Sequence, residues 1–421
     1  MSKWKKVSDF ITFSTKGITP KYVEKSVVIV LNQKCIRNNI IDYSFAQYCD
    51  ESKIKSDSKF VNKGDILINS TGAGTAGRCA FVAEIPEGFK LITDSHVLLL
   101  RCNSYYEAKC LNYVLFSFES TLMSFMTGSS GQSELDKVVL FNIKTQMPTD
   151  SKTQKSVSTI LTNLENKIEL NNRINAELES MAKTIYDYWF VQFDFPDKNG
   201  KPYKSSGGKM VWNEELKREI PEGWENGELE DIADLIRGVT YSKGDIKNDT
   251  VNGVIPILRA TNISGNVIDL NNMVYVPSEI VDEKQILKKY DILFVMSSGS
   301  IDHIGKNGFY YFEEKAAFGA FCSKLVAKSN YRYYLYSYIQ SDFLFQTIKN
   351  ECLGTNINNL NGSLVNGFKV TIPNKQIIDK FNEIVAPIYD KIAVNQKENQ
   401  QLASLRDWLL PMLMNGQIKI N

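Results

Sequence analysis

The stretch TGAGTAGR (71–78) carries the G-x-G-x-x-G spacing after a strand-like run, which in a dinucleotide or S-adenosylmethionine site opens a helix whose N-terminus holds the phosphate or carboxylate. Here the continuation, CAFVAEIP, is strand-like and then broken by Pro86, and the matching MSSGSIDHIGKNG further along keeps no such spacing. The spacing therefore predicts a tight β-turn. No G-x-x-x-x-G-K-[ST] loop and no G-x-S-x-G elbow occur, so neither a phosphate cradle nor a nucleophile turn is present. The Asn/Asp-Pro-Pro-aromatic tetrapeptide with which amino-methyltransferases hold a target amine is also missing. Glu313 and Glu314 beside Lys315 lack a second carboxylate cluster and read as a solvated turn, and His96 and His303 are too few for a histidine-rich metal site. Seven cysteines without a C-x-x-C pair read as reduced, mostly buried thiols. The chain reads as non-catalytic.

Other loops combine Gly with Lys, Arg, Ser, Thr or Asn. In the first half they are Lys16–Lys21, with Lys16, Thr19 and Lys21; Ser70–Arg78, with Ser70, Thr71 and Arg78; and Ser129–Gln132, with Ser130 and Gln132. In the second half they are Arg237–Lys243, with Arg237, Thr240 and Lys243; Arg259–Asn262, with Arg259, Thr261 and Asn262; Ser297–Lys306, with Ser297, Ser298, His303 and Lys306; and Asn356–Asn359, with Asn356 and Asn358. Gly lets a backbone approach closely, cations meet phosphates, and Arg, Asn or Gln can pair with base edges two-pronged. Each loop alone is also consistent with an ordinary polar turn. As a set repeated in two domains they point to DNA.

Two long helices must position these loops. In 154–191, Val157, Ile160, Leu164, Ile174, Leu178, Met181, Ile185 and Tyr188 step by threes and fours, the seam of an amphipathic helix, interrupted at Lys167 and Asn171. The design returns at 375–420, 224 positions on: Ile384, Ile388, Leu402, Leu405 and Leu409 continue it, and Lys391 and Asn395 copy the interruption. One narrow stripe cannot bury itself, so the two helices are predicted to pair, with the polar break fixing their register. The competing reading packs each helix on its own domain. Tyr186, Tyr188, Trp189, Phe190 and Trp408 are predicted to pack where helix meets domain, or to form a docking face for another protein.

The domains repeat as well. KGIT (16–19) matches RGVT (237–240), IRNNIID matches ISGNVID, DIL (65–67) matches DIL (291–293) and Pro148 matches Pro373, all at offsets of 221 to 227. The predicted fold class is α+β, a tandem duplication: a globular domain at 1–150, a helix at 151–192, a linker at 193–224, a second domain at 225–374 and a helix at 375–421. VVIVL, DILIN, RCAFVA and HVLLLRC are the clearest strands of the first domain, and NEELKRE (213–219) reads as a short helix. Scaffold runs agree between copies while loops differ, as in a pair of readers of different targets.

Composition is that of an ordinary globular protein, 43% apolar and 23% charged, with no apolar run long enough to span a membrane and no apolar signal core at MSKWKKVSDF, so a cytoplasmic location is expected. The net charge of +1 argues mildly against a dedicated DNA binder.

The linker FDFPDKNGKPYKSSGGKMVWNEELKREIPEGW (193–224) closely resembles a segment common in DNA-specificity subunits of type I restriction–modification systems, as do KGDIL (63–67) before a Gly-rich turn and GSSGQ (128–132). The resemblance covers essentially the whole chain. It implies two target-recognition domains, each reading one half of a split duplex sequence, and two long helices paired antiparallel as a spacer. It further implies two methyltransferase subunits carrying S-adenosylmethionine, restriction subunits carrying ATP and magnesium, and no cofactor or metal in this chain. The second copy departs at its Gly-rich turn and has Gly354, Thr355 and Asn356 where the first ends in Gly-Gln, so different half-sites are expected. A helix of ~35 residues spans ~50 Å, or roughly fifteen base pairs. Two other functions fit less of the chain: an adenine methyltransferase with fused target domains using the 71–78 loop, and a structural coiled-coil adaptor.

Overall fold

The run VLLL (97–100), apolar at every position, becomes part of a strand buried on both faces. The computed structural model describes residues 3–72, 74–124, 126–127, 134–352, 359–418 and 420. It divides into two units, residues 1–169 with 400–421, and residues 170–399.

In the first unit an antiparallel sheet runs Cys79–Phe81, Ile66–Asn69, Val97–Cys102, Ile11–Lys16. Alternate residues feed two cores, as a strand's two-residue period requires. Ile66, Ile68, Leu98 and Leu100 join the core shared with the long helices, while Leu67, Val97 and Leu99 join the other. A second sheet contains the parallel pair Val28–Leu31 and Lys90–Thr93. The second unit repeats this order with Asn307–Phe309, Ile292–Val295, Cys322–Ala327, Ala233–Arg237 and the parallel pair Val254–Leu258 and Ala317–Phe318. A first and a last strand close each domain: Lys3–Lys6 with Lys144–Met147, and Glu225–Glu228 with Lys369–Ile372.

The repeated DIL runs have a shared electrostatic reason. Asp65 is 1% exposed at its side chain and receives Arg101 through two bonds of 2.7 Å. Asp291 receives Lys324 at 2.7 Å, both nearly sealed from solvent. Each acid therefore anchors a cation of the neighbouring central strand.

The long helices are Ser151–Tyr186, continued by a π-helical turn at Asp187–Val191, and Lys375–Asn415. In the first unit Val157 and Leu161 share a core with Leu410, Leu413 and Met414. In the second, the two helices meet through amides: Asn171 donates to Asn399 at 2.9 Å and to Glu398 at 2.7 Å, and Asn395 donates to Asn175 at 2.8 Å. Numbers rise on one helix as they fall on the other, so the pair is antiparallel. Asn171 and Asn395 are each 1% exposed. The asparagine half of the predicted interruption is thus a reciprocal amide network inside the seam, a device that penalises any other register, whereas Lys167 and Lys391 are exposed and lie outside it.

The predicted seam is displaced by one residue towards its end. Met181, Tyr188, Ile384 and Leu405 are exposed, whereas Ala182, Tyr186, Trp189, Val385 and Tyr389 are buried. Of the five aromatic residues expected at the helix–domain junctions, Tyr186, Trp189 and Phe190 pack there, but Tyr188 and Trp408 stay exposed. NEELKRE is not a helix. Met210–Asn213 and Arg218–Pro221 form a hairpin, with Lys217 in the left-handed region at φ 50° and the Asn213 carboxamide accepting the Glu215 and Leu216 amides across the turn. The linker before it is pinned rather than loose: Phe195 stacks on Tyr203 and Trp224, and the Asp194 carboxylate accepts Ser205 twice.

Each domain also hooks the first long helix through an asparagine at a hairpin tip. Asn39, with φ 64°, donates to Glu165 at 3.0 Å, and Asn266 donates to Glu179 at 2.5 Å. Burial raises the Glu179 carboxyl above its ordinary range, against the lowering effect of the Asn266 bond. Among the described residues no helix is long and apolar enough to cross a membrane.

Candidate nucleic-acid interface

Of the predicted loops, those around Lys16, Ser70, Arg237 and Ser297 are tied to one end of each central sheet by four backbone links in each domain. In the first domain Ile18 bridges Asp94 in parallel, the Ser70 amide donates to the His96 carbonyl at 2.8 Å, Thr71 bridges Glu134, and the Leu135 amide donates to the Ser70 carbonyl at 2.7 Å. In the second domain Val239 bridges Gly319, the Met296 amide donates to the Phe321 carbonyl at 2.9 Å, Ser297 bridges Asn359, and the Leu360 amide donates to the Met296 carbonyl at 2.8 Å. The frames correspond link for link.

The repeated glycine of KGIT and RGVT follows from this frame. A Cβ on Gly17 would stand 2.0 Å from the Asp94 carbonyl oxygen, and one on Gly238 would stand 2.2 Å from that of Gly319. Gly238→Ala is expected to force the bridge apart at a cost of about 1–3 kcal/mol, the usual range for overpacking, read as a lower midpoint in chemical denaturation. An unchanged midpoint would show that the close approach is not needed.

Side chains on the common frame differ. In the first domain Lys16 ion-pairs Glu134, Thr71 meets the His96 Nδ1 at 2.9 Å and receives the Gln33 amide, and the Asp94 carboxylate accepts the His96 amide. Burial holds Asp94 above the ordinary carboxylate range, opposed by that amide bond. Lys21 pairs with Asp50 at 2.9 Å, and Arg78 with Glu119 at 3.6 Å. Lys16 and Glu134 are about half exposed, a setting where an ion pair is worth under about 1 kcal/mol, so exchanging it for a phosphate costs little. Thr19 is exposed and open to a ligand. Ser70 is buried with its hydroxyl donating to the His96 carbonyl, so it supports the turn from inside.

In the second domain Arg237, Thr240, Lys243 and Thr261 are exposed, and among the described residues Arg237, Lys243 and Lys306 have no carboxylate partner. Arg259 is exposed but donates to the Asn272 carbonyl at 2.9 Å. Asn262 is buried and its amide is consumed by the Asp269 and Asn271 carbonyls, so it closes its own turn. Ser297, Ser298 and His303 are half-buried on the turn after Val295, where the Ser298 hydroxyl caps the Ser300 amide at 3.3 Å. Ser130, Gln132, Asn356 and Asn358 lie outside the described residues.

Four residues at this end were not singled out from sequence: Gln33, His96, Glu134 and Phe321. The repeat offset was a usable signal, since 225 positions carry His96 onto Phe321 and Glu134 onto Asn359. The G-x-G-x-x-G stretch is the turn of the antiparallel hairpin Ile66–Asn69 and Cys79–Phe81, with the Gly77 amide donating to the Asn69 carbonyl. It runs into a strand and opens no helix, so the methyltransferase reading loses its cofactor loop.

Two domains that share one backbone frame and differ in the side chains mounted on it make a two-headed recognition protein. A family model described as the type I restriction modification DNA specificity domain matches residues 1–180 and again 221–404, and the chain belongs to that family. It is 27% identical over 317 residues to the type I restriction enzyme MjaIX specificity subunit of Methanocaldococcus jannaschii, covering 73% of this chain and 69% of that one. It is 24% identical over 496 aligned positions to the HindI specificity subunit of Haemophilus influenzae, covering 99% and 100%. The crystal structure of the type I S subunit from M. genitalium aligns over 100% of this chain and 97% of its own, with a TM-score of 0.52 at 14% identity, a likeness of fold. The chain is accordingly a DNA-specificity subunit of the type I class, the recognition component and not the catalyst.

Proposed function

We propose that the chain reads a bipartite duplex sequence, one half-site per domain, and delivers two methyltransferase subunits and the restriction subunits to it. The observation that carries this reading is the common frame with unlike side chains: the same links hold His96, Thr71 and Glu134 in one domain and Phe321, Ser297 and Asn359 in the other. A frame built twice serves recognition of two sites, and unlike side chains on it serve two different sequences. S-adenosylmethionine, ATP and magnesium belong on the partner subunits, and the complex works in the cytoplasm beside its DNA. The paired helices hold the half-sites at a set spacing, with the amide network of Asn171, Asn175, Asn395 and Asn399 keeping the register.

Sequencing of methylated adenines in cells that express the full chain with its cognate methyltransferase tests this. The expected result is one split motif with two unlike halves around a constant unread spacer. A continuous motif, or methylation independent of the chain, would refute it.

A further inference from the structure

In the second domain the turn Gly319–Phe321 is held from three sides. Its Gly319 amide donates to the Leu258 carbonyl at 2.9 Å, Val239 bridges Gly319, and the Phe321 carbonyl accepts both the Met296 and the Ser297 amides. A backbone so tied cannot turn the residue inward. Yet the ring of Phe321 is 68% exposed. A lone apolar residue on a surface needs no explanation of its own. This one stands where the loop of Arg237, the turn of Ser297 and the bridge to Asn359 converge, and its counterpart in the first domain is an exposed histidine on the same link. At one equivalent position one domain presents a ring with hydrogen-bonding nitrogens and the other a ring without them. Of the groups on base edges in the major groove, only the thymine methyl is recognised by apolar contact alone.

We propose that Phe321 is a specificity-determining residue of the second domain and that its ring covers the 5-methyl group of a thymine in that domain's half-site. The proposal rests on the reading of the chain as a bipartite DNA recogniser and names what one position of it reads. Arg237, opposite Ser323 in the sheet, is exposed and has no carboxylate partner among the described residues, so it is free to meet a phosphate while the ring meets the base. The exposed ring contributes little to the fold, so its removal leaves the domain intact.

The test uses the full chain in complex with its methyltransferase subunits. Methylated-adenine sequencing first supplies the motif; a chain that yields no split motif overturns the recognition reading and this proposal with it. Synthetic duplexes are then made in which each thymine of the motif is replaced in turn by deoxyuridine, which removes only the methyl. With the natural chain, deoxyuridine at one position of one half-site is expected to weaken binding about fourfold, the worth of one buried methyl-sized group. With Phe321→Ala that position is expected to lose its sensitivity, with Phe321→Leu to keep part of it, and the other half-site is expected to respond alike in all three. Denaturation midpoints equal to that of the natural chain show that the variants fold. A sensitivity to deoxyuridine that persists in Phe321→Ala, or none at any position, overturns the proposal. So does a loss of affinity in Phe321→Ala that is indifferent to the methyl, which would mark the ring as a wedge between bases.

Discussion

Asp291→Ala is expected to cost the second domain about 3–5 kcal/mol, the range found when one partner of a buried ion pair is removed. Lys324 is 4% exposed at its side chain, and its ammonium is shared between the Asp291 carboxylate and the Ile286 carbonyl, each at 2.7 Å. Without the carboxylate the charge keeps one neutral acceptor and has no path to water, and the Lys288 amide loses its acceptor as well. Urea denaturation of the full chain measures the cost. The double variant Asp291→Leu with Lys324→Met is expected to recover most of it, because replacing both charges removes the desolvation penalty together with the attraction. Asp65→Ala is expected to cost less: the Arg101 side chain is 29% exposed and retains the Phe60 carbonyl at 3.3 Å. A loss under about 1 kcal/mol at Asp291 would mean that the repeated acid is not an anchor, and equal losses in the two domains would mean that the exposure of the cation does not set the cost.

Insertion of one heptad into both long helices, ahead of Asn171 in the first and behind Asn399 in the second, is expected to lengthen the unread spacer by roughly three base pairs. Seven residues add ~10.5 Å of helix and return the apolar stripe to within ~20° of its former face. Each base step takes ~3.4 Å. The insertion must be made in both helices, because a single one would put the core of Val157 and Leu161 with Leu410, Leu413 and Met414 seven residues out of step with the amide pairs Asn171–Asn399 and Asn395–Asn175. Methylated-adenine sequencing of the variant reads the result. A longer spacer with both half-sites unaltered is the expected outcome. An unchanged spacer in a methylating variant would show that something other than the paired helices sets the distance.

The duplication and its strands were legible in sequence because they rest on local patterns that recur at a fixed offset. The phase of the helical seam was less so. A stripe drawn by threes and fours slides by one residue over several turns when the helix keeps 3.6 residues per turn, and Met181 was chosen where Ala182 is buried. The π-turn at Asp187–Val191 advances the phase again and brings Trp189 inward instead of Tyr188. The true stripe also contains Gln154, Ser158, Asn171 and Asn175, which no search for apolar periodicity can register. For the candidate interface, Gly and polar composition pointed to the loops around Lys16, Thr71, Arg237 and Ser297. It could not find His96 or Phe321, whose place is decided by which carbonyl accepts the amides of Ser70 and Met296. Composition likewise gave no way to separate Ser70 and Asn262, whose polar groups are spent internally, from the exposed Thr19 and Thr261.

The two carboxylates that receive the hairpin asparagines, Glu165 and Glu179, both sit on the helix between Ser151 and Tyr186. At the corresponding points of the later helix stand Tyr389 and Ala403. An amino-terminal fragment therefore carries its own acceptor for Asn39, whereas a carboxy-terminal fragment joined to a twin of itself would strand Asn266. The duplicated halves are therefore no longer interchangeable at this contact: the later domain finds its carboxylate on the earlier helix.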